Sequence, residues 1–194
     1  AQSFTAVRNK PIVLSSGVSK SVNDRGIGFS GSVSNSQVDF GASAGLSTIV
    51  GADNFTIFAR IYVTDAAASN QRILMDCNSG GGGAYSVMIS INEVAGQWGF
   101  MVRTNTDYAL NGGTVTVGWH DIALVQDLSN TNWYGYVDGV KILTYDYSST
   151  SQLSSGTSLR LMANGAYTSG FGFKGKMACA GFFSRALTET EVKS

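Results

Sequence analysis

Charged side chains are scarce in this chain. Aspartate, glutamate, lysine and arginine make up 13% of its 194 residues, against about 25% in a typical soluble domain. The 13 basic and 13 acidic side chains cancel, so no net charge draws the chain toward nucleic acid or an anionic membrane surface. No apolar run approaches the roughly 18 residues that a bilayer-spanning helix requires. We therefore expect no nucleic-acid partner and no membrane insertion.

Side chains suited to catalysis are also scarce. The chain has three glutamates, Glu93, Glu189 and Glu191, and a single histidine, His120. A retaining polysaccharide hydrolase needs two carboxylates about 5 Å apart, and no two glutamates share a predicted strand. Any Ser-His-Asp triad would have to use His120, which flanks a predicted strand beside a tryptophan, a setting typical of a structural histidine. The sequence therefore predicts that the protein is not an enzyme.

The two cysteines, Cys77 and Cys179, lie far apart and within predicted strands. In an oxidising compartment they would be able to face each other across the core and form a disulfide. The alternative is two buried free thiols, which behave as small apolar side chains. With one histidine beside them, these cysteines are too few to form a zinc site.

The most informative stretch of the chain is residues 117–142. Residues 122–125 are apolar on both faces of a predicted strand, which favours a central strand in a two-layer β protein. Farther along, Asp138 and Gly139 form the kind of residue pair that a two-residue hairpin turn requires, because both central positions need positive φ.

Similar strand patterns recur along the chain, separated by glycine-rich loops. Residues 26–31, with three glycines, favour a turn, and residues 105–113 favour a polar loop. Thr188 and Glu191 form a capping box, so a short helix closes the chain. These patterns predict an all-β fold of two antiparallel sheets packed as a β-sandwich, with a short C-terminal helix. The remaining predicted strands cover residues 55–63, 73–77, 85–91, 97–103, 158–162 and 175–183.

The first 27 residues are predicted to form an arm beside a sandwich domain of residues 28–194. Residues 12–14 read as a short buried strand, and Pro11 precedes them where a strand start tolerates a missing N–H. The arm either completes an edge of the sandwich or docks on a neighbouring subunit, and the sequence leaves both alternatives open.

Four short motifs lie in a fixed order along the chain. Gly-Trp-His at residues 118–120 is followed by an aliphatic run and by Tyr-Val-Asp-Gly at residues 136–139. The other motifs lie at residues 28–40, 54–61 and 173–192. Together they resemble the laminin-G-like, concanavalin A-like lectin and glucanase domains. The resemblance implies a jelly-roll β-sandwich, a fold that hosts lectins, adhesion modules, hydrolases and virion proteins.

Calcium is the one cofactor that the resemblance leaves open. Many relatives hold calcium through loop carboxylates and carbonyls, which suit a hard cation with six or more oxygen ligands. The family's closing strand usually carries two acidic residues where this chain has Ala178 and Cys179, which removes ligands. The remaining candidates form two acidic loop pairs, Asp76 with Asn78 and Asn105 with Asp107.

Glycan binding without catalysis requires exposed aromatic rings for stacking on pyranoses, with polar groups beside them. We predict that Phe55, Trp98, Phe100, Trp119 and Phe182 belong to the core. The candidate ligand-binding residues lie off the predicted core face and are Tyr108, Trp133, Tyr145, Tyr147, Tyr167 and Asn164.

Two function classes follow from these observations. The first is a glycan-binding or adhesion module that recognises a glycan or cell-surface polysaccharide, as part of a secreted or cell-surface protein. The alternative is a virion structural protein, such as a phage fibre or capsid decoration subunit, which forms a homo-oligomer or assembles with other virion subunits. Both place the protein outside the cell, at a cell surface or on a virion.

Overall fold

The computed structural model describes residues 13–14, 18–23, 26–31, 38–42, 54–67, 71–77, 85–91, 94–103, 107–146, 158–161 and 172–194. The strands are β1 (Val13–Leu14), β2 (Val18–Asn23), β3 (Gly26–Gly31), β4 (Val38–Ala42), β5 (Phe55–Val63), β6 (Gln71–Cys77), β7 (Tyr85–Ile91), β8 (Gln97–Arg103), β9 (Asp107–Thr114), β10 (Gly118–Asp127), β11 (Asn132–Val137), β12 (Val140–Asp146), β13 (Ser158–Leu161) and β14 (Gly175–Phe183). A helix, α1 (Glu189–Val192), follows β14.

The strands form two antiparallel sheets. Sheet A has the order β1-β4-β13-β6-β7-β8-β9, and sheet B has the order β12-β11-β10-β5-β14-β3-β2. Neighbours in each sheet are often distant in sequence, as where β14 inserts between β5 and β3. This architecture confirms the predicted all-β jelly-roll sandwich of two antiparallel sheets with a short C-terminal helix.

The core lies between the sheets and is built from alternate residues of each strand. On β5, Phe55, Ile57, Ala59, Ile61 and Val63 are at most 1% exposed, while most of the residues between them are more accessible. Full burial of one such side chain stabilises the fold by about 1.5–3 kcal/mol. Strand β5 therefore anchors the middle of sheet B.

Strand β10 confirms the prediction of a central strand, since it lies between β11 and β5. Residues 122–125 are all buried, although neighbours along a strand face opposite sides of the sheet. The hairpin that follows is also confirmed, because Asp138 and Gly139 have φ values of 52° and 73°.

Two segments that the sequence assigned to a turn and a loop are strands. Residues 26–31 form β3, which pairs with β2 and β14. Residues 107–114 form β9, the edge strand of sheet A, which pairs with β8 along its length. Both predictions were wrong because backbone hydrogen bonds to an adjacent strand stabilise a strand even where its residue types have little propensity for one.

The predicted N-terminal arm contributes to both sheets. Strand β1 pairs with β4 at the edge of sheet A, and β2 pairs with β3 at the edge of sheet B. The boundary predicted between residues 27 and 28 falls within β3. Docking of the arm on a neighbouring subunit stays a prediction.

The C-terminal helix begins with the predicted capping box. The Thr188 side chain accepts a hydrogen bond from the Glu191 backbone N–H, and the Glu191 carboxylate accepts one from the Thr188 backbone N–H at 2.9 Å. The helix is one turn long, and within the described part of the chain no helix has the length and apolarity to cross a membrane.

Candidate functional site

Two of the predicted ligand-binding aromatics point into the sandwich. Trp133 is 2% exposed and packs edge-on against Phe55, with ring centroids 5.5 Å apart. Tyr145 is directly across from Trp133 on β12 and is half-buried against the same core. The prediction that these residues form an exposed binding surface was therefore wrong, because this face of β11 and β12 is the inner one.

The other predicted ligand-binding residues are described in part or not at all. Tyr108 lies on β9, and its side chain lies outside the described residues. The three remaining candidates, Tyr147, Asn164 and Tyr167, also lie outside them. A glycan-binding role for these four residues stays a prediction.

The predicted calcium ligands do not come together as one site. Asp76 lies on β6 and Asp107 on β9, and β7 and β8 separate these strands in sheet A. Strand spacing of about 4.8 Å keeps the two backbones roughly 14 Å apart. Asn78 and Asn105 lie outside the described residues. Within the described part of the chain, no three His, Cys, Asp or Glu side chains cluster as metal ligands, and calcium stays a prediction.

Of the two alternatives for the cysteines, the disulfide between Cys77 and Cys179 is wrong because Cys179 is a free cysteine, and a buried thiol is wrong for Cys179 because this residue is exposed. The reason is a β-bulge in β14, where the register to β5 shifts between Met177 and Cys179. Strict alternation would have turned Cys179 inward like Met177, but the extra residue, Ala178, turns it outward. The side chain of Cys77 lies outside the described residues.

His120 joins two turns at one end of the sandwich. Its Nδ1 lies 2.7 Å from Oδ2 of Asp138, and its Nε2 lies 3.0 Å from the backbone oxygen of Thr116. Its ring packs edge-on against Trp98, with centroids 5.1 Å apart. These contacts hold the loop before β10 against the β11–β12 turn, as expected for a structural histidine.

The outer face of sheet B, turned away from sheet A, divides into two halves. The first, the covered half, consists of Phe58, Ala123, Val125, Tyr134 and Tyr136, which form an apolar cluster beneath the C-terminal segment of residues 184–194. That segment contributes apolar side chains from residues 186 and 192 to the cluster. Burial, followed by the charge of Glu189, raises the pKa of Tyr136 to about 12.

Polar contacts attach the C-terminal segment to the covered half. Thr56, fully buried on β5, donates a hydrogen bond to the backbone oxygen of Arg185 at 3.0 Å and accepts one from the Leu187 N–H at 2.9 Å. Arg185 also forms two 2.8 Å hydrogen bonds to the Glu191 carboxylate. The guanidinium and the capping bonds from Thr188 lower the pKa of Glu191 to about 2.

The second half of the same face is open, and aromatic rings occupy its centre. This open half consists of Arg60, Tyr62, Trp119, Asp121, Lys176 and Cys179, all half-buried or exposed. Tyr62 and Trp119 are directly opposite each other on β5 and β10. Their rings meet edge to face, with centroids 5.4 Å apart and planes inclined by 71°.

Charged groups surround this pair of rings. The Arg60 guanidinium lies 5.5 Å from the centroid of the Trp119 ring and pairs with the Asp121 carboxylate at 2.5 Å. On the other side, Lys176 is directly across from Tyr62, and its Nζ lies 5.6 Å from that ring's centroid. The open half thus presents aromatic surface with hydrogen-bond donors and acceptors at its edges, the combination that saccharide sites use.

A groove of about 750 Å³ runs between the two halves. Phe58 and Ala123 line its floor, while Asp121, Asp138 and Val192 lie among the residues of its walls. Asp138 is held in place, since its Oδ1 accepts a hydrogen bond from the Asp121 N–H at 2.9 Å. The groove therefore connects the open half with the C-terminal segment.

The sequence prediction placed Trp119 in the core, which was wrong. Trp119 is half-buried on the outer face, while Trp133, predicted to be exposed, is in the core. Residues 122–125 are apolar on both faces, so alternation alone does not show which face meets the other sheet. In the structure, the His120 side chain packs against the core tryptophan Trp98, so the adjacent Trp119 faces outward.

Solved structures with the same fold include several binding domains. The botulinum neurotoxin serotype D/C binding domain superposes with a TM-score of 0.73 at 13% identity, over 97% of this chain and 47% of the toxin domain. The Ruminococcus gnavus IT-sialidase CBM40 bound to α2,3-sialyllactose superposes with a TM-score of 0.67 at 16% identity, over 86% of this chain and 94% of the other.

A third structure concerns botulinum neurotoxin type C, whose cell entry is described as dependent on two ganglioside molecules. It superposes with a TM-score of 0.70 at 13% identity, over 97% of this chain and 46% of that one. The chain thus spans slightly less than half the length of the toxin domains that it matches, and at these identities the likeness shows the fold alone.

Comparison of the sequence with curated proteins gives no match. The family model described as the concanavalin A-like lectin/glucanases superfamily, in its laminin G form, matches residues 32–193. This match covers strands β4 to β14 and the C-terminal helix, and strands β1, β2 and β3 precede it. The chain therefore belongs to the concanavalin A-like lectin/glucanase superfamily.

Proposed function

We propose that this chain is a non-catalytic glycan-binding module and that the open half of sheet B binds the saccharide. The observation that carries the proposal is the pair of half-buried rings, Tyr62 and Trp119, on a sheet face that the C-terminal segment leaves free. Aromatic surface of this kind stacks on the apolar face of a pyranose, and adjacent charged groups accept and donate hydrogen bonds to its hydroxyls.

The charges beside the rings support binding rather than chemistry. Asp121 is held by Arg60 at 2.5 Å, and the neighbouring Asp138 is held by Nδ1 of His120 at 2.7 Å, so each of these two carboxylates is already engaged. A glycosidase needs a pair of carboxylates on either side of the bond to be cleaved. The two similar structures whose descriptions name α2,3-sialyllactose and gangliosides add support for a saccharide ligand. An extracellular or cell-surface location follows from this proposal.

A glycan array followed by calorimetry on the best ligand tests the proposed site. We expect Trp119→Ala and Tyr62→Ala each to weaken binding at least about tenfold, equivalent to 1.4 kcal/mol. Val94→Ala is the matched control, because Val94 is 46% exposed in the turn before β8, which belongs to the other sheet. Undiminished binding by folded Trp119→Ala and Tyr62→Ala variants would exclude the open half as the site.

The alternative of a virion structural protein stays a prediction. It requires self-assembly or assembly with other subunits, whereas a free-standing binding module is expected to be monomeric. Sedimentation of the purified protein separates the two, since a stable oligomer that binds no glycan on the array would favour the virion alternative.

A further inference from the structure

Most described cations have an acidic partner. Arg60 pairs with Asp121, Arg185 with Glu191, and Lys141 and Lys193 both pair with Glu189. Among the residues whose side chains the structure describes, the two cations without an ion pair are Lys174 and Lys176. Both are exposed, and they are two residues apart at the start of β14.

Both lysines lie beside the open half. Lys176 is directly across from Tyr62, and its Nζ lies 5.6 Å from that ring's centroid. The backbone oxygen of Lys174 accepts a hydrogen bond from Oγ1 of Thr64 at 2.6 Å. This bond holds Lys174, which precedes β14, beside the end of β5. Among the side chains that the structure describes, the unpaired positive charge therefore lies next to the aromatic rings.

One outward row along β5 and β10 from the rings, the positive charge is already compensated. Arg60 and Asp121 are directly across from each other in the outward row next to that of Tyr62 and Trp119, and there the guanidinium binds the carboxylate, so this row presents an ion pair rather than a free cation. A saccharide across Tyr62 and Trp119 would thus meet a neutral ion pair along one side and a free ammonium beyond its Tyr62 end. This polarity selects for a ligand that carries a negative charge at one end.

We infer that the ligand of the open half is a saccharide bearing a carboxylate, which pairs with Lys176 while its pyranose ring contacts Tyr62 and Trp119. The inference rests on the proposed function. A lysine ammonium is a compact charge with three donors, so it binds a carboxylate without demanding one fixed orientation. The two common sources of such a group, a sialic acid and a uronic acid, share this chemistry.

Matched pairs of charged and neutral ligands test the inference. The probes are α2,3-sialyllactose against lactose, and an oligogalacturonate against its methyl ester. We expect at least one acidic probe to bind about tenfold more tightly than its neutral partner, and the pair showing this difference identifies the source of the carboxylate. The preference for the acidic probe should also decrease between 50 and 500 mM salt, because the Debye length shortens from over about 10 Å to a few ångströms.

Lys176→Gln should remove most of the difference between acidic and neutral probes, because it should weaken acidic binding far more than neutral binding. Lys193→Gln is the matched control, because it removes the same charge from the covered half. Equal binding of both probes of each pair, or a preference that Lys176→Gln leaves intact, would overturn the inference while the proposed function stands. Binding to none of the probes or array glycans would overturn the proposed function itself.

Discussion

The two halves of the outer face of sheet B use the same strands in opposite ways. In the covered half, β5 and β10 present Phe58, Ala123 and Val125, and residues 184–194 shield them from water. In the open half, the same strands present Tyr62, Trp119 and an Arg60–Asp121 ion pair, all at least partly accessible. One half is therefore an extension of the core, and the other is a surface available to a ligand.

The reach of the C-terminal segment sets the boundary between the buried and the accessible side chains on this face. Alternation along β5 and β10 is the same in both halves, so the backbone does not distinguish them. Where the segment packs, the side chains are apolar and their burial contributes to folding. Where it ends, the side chains are amphipathic and remain free to make contacts. Substitutions in the two halves should then separate stability from binding.

The largest expected effect is on Tyr136 of the covered half. Tyr136→Ala empties a site that is 2% exposed, so we expect a loss of about 3 kcal/mol in the free energy of unfolding. The half-buried Tyr62→Ala in the open half should cost about 1 kcal/mol or less. Urea denaturation of both variants measures the difference. Equal losses would mean that the two halves do not differ in their contribution to folding.

A smaller effect is expected at Gly181, whose outward position on β14 lies under the ring of Phe58. A Cβ added there would approach that ring to 2.8 Å, so Gly181→Val should destabilise the fold by roughly 1–3 kcal/mol. Cys179 faces the same side two residues earlier but is exposed, and Cys179→Ser should change stability by less than about 0.5 kcal/mol. Thermal melting of the pair tests the contrast, and a tolerated Gly181→Val would contradict it.

Thr56 connects the covered half to the segment above it. Thr56→Val keeps the side-chain shape but leaves the Leu187 N–H and the Arg185 carbonyl without their partner. We expect a loss of about 1–2 kcal/mol and faster proteolysis within residues 184–194. Glycan affinity at the open half should stay unchanged, and a parallel loss of affinity would show that the halves are coupled.

The smallest effect concerns the pH dependence of the segment. The pKa of Glu191 is lowered from 4.5 to about 2, so its carboxylate stabilises the folded state above pH 4.5, and this contribution is lost as the pH falls toward 2. Because Glu191 is exposed, the effect should be modest. Melting temperatures of the parent and of Glu191→Gln should differ at pH 7 and converge near pH 2. A constant difference across this range would contradict the assignment.

Much of this fold could be predicted from local patterns. The apolar residues 122–125 indicated a central strand, Asp138-Gly139 indicated the hairpin, and Thr188 with Glu191 indicated the helix start. Each of these signals depends on residues adjacent in sequence. Strands β3 and β9 were not predicted, because backbone pairing with β2 and β8 stabilises them. Such pairing cannot be inferred from the residue composition of a segment.

The candidate site was far less predictable. Trp119 and Trp133 look alike in sequence, since each is an aromatic residue near one end of an apolar strand. Their exposure depends on which face of sheet B meets sheet A, and the C-terminal segment buries part of the other face as well. An outer face that is apolar because the C-terminal segment covers it cannot be distinguished from the inner face by the alternation of apolar residues. Trp119 was therefore predicted to be in the core and Trp133 to be exposed, which is the reverse of the structure.

The extra residue at Ala178 divides β14 into two stretches of opposite phase. Before it, even-numbered Lys176 faces outward; after it, even-numbered Phe182 packs against the core. If side-chain orientations were counted along β14 as in a homologue whose strand has no bulge, every side chain from residue 179 to residue 183 would be assigned to the wrong face. Deleting Ala178 would, by the same geometry, remove the bulge and leave the inward and outward residues of the final stretch unchanged, because Cys179 would follow Met177 directly and still pair with Arg60.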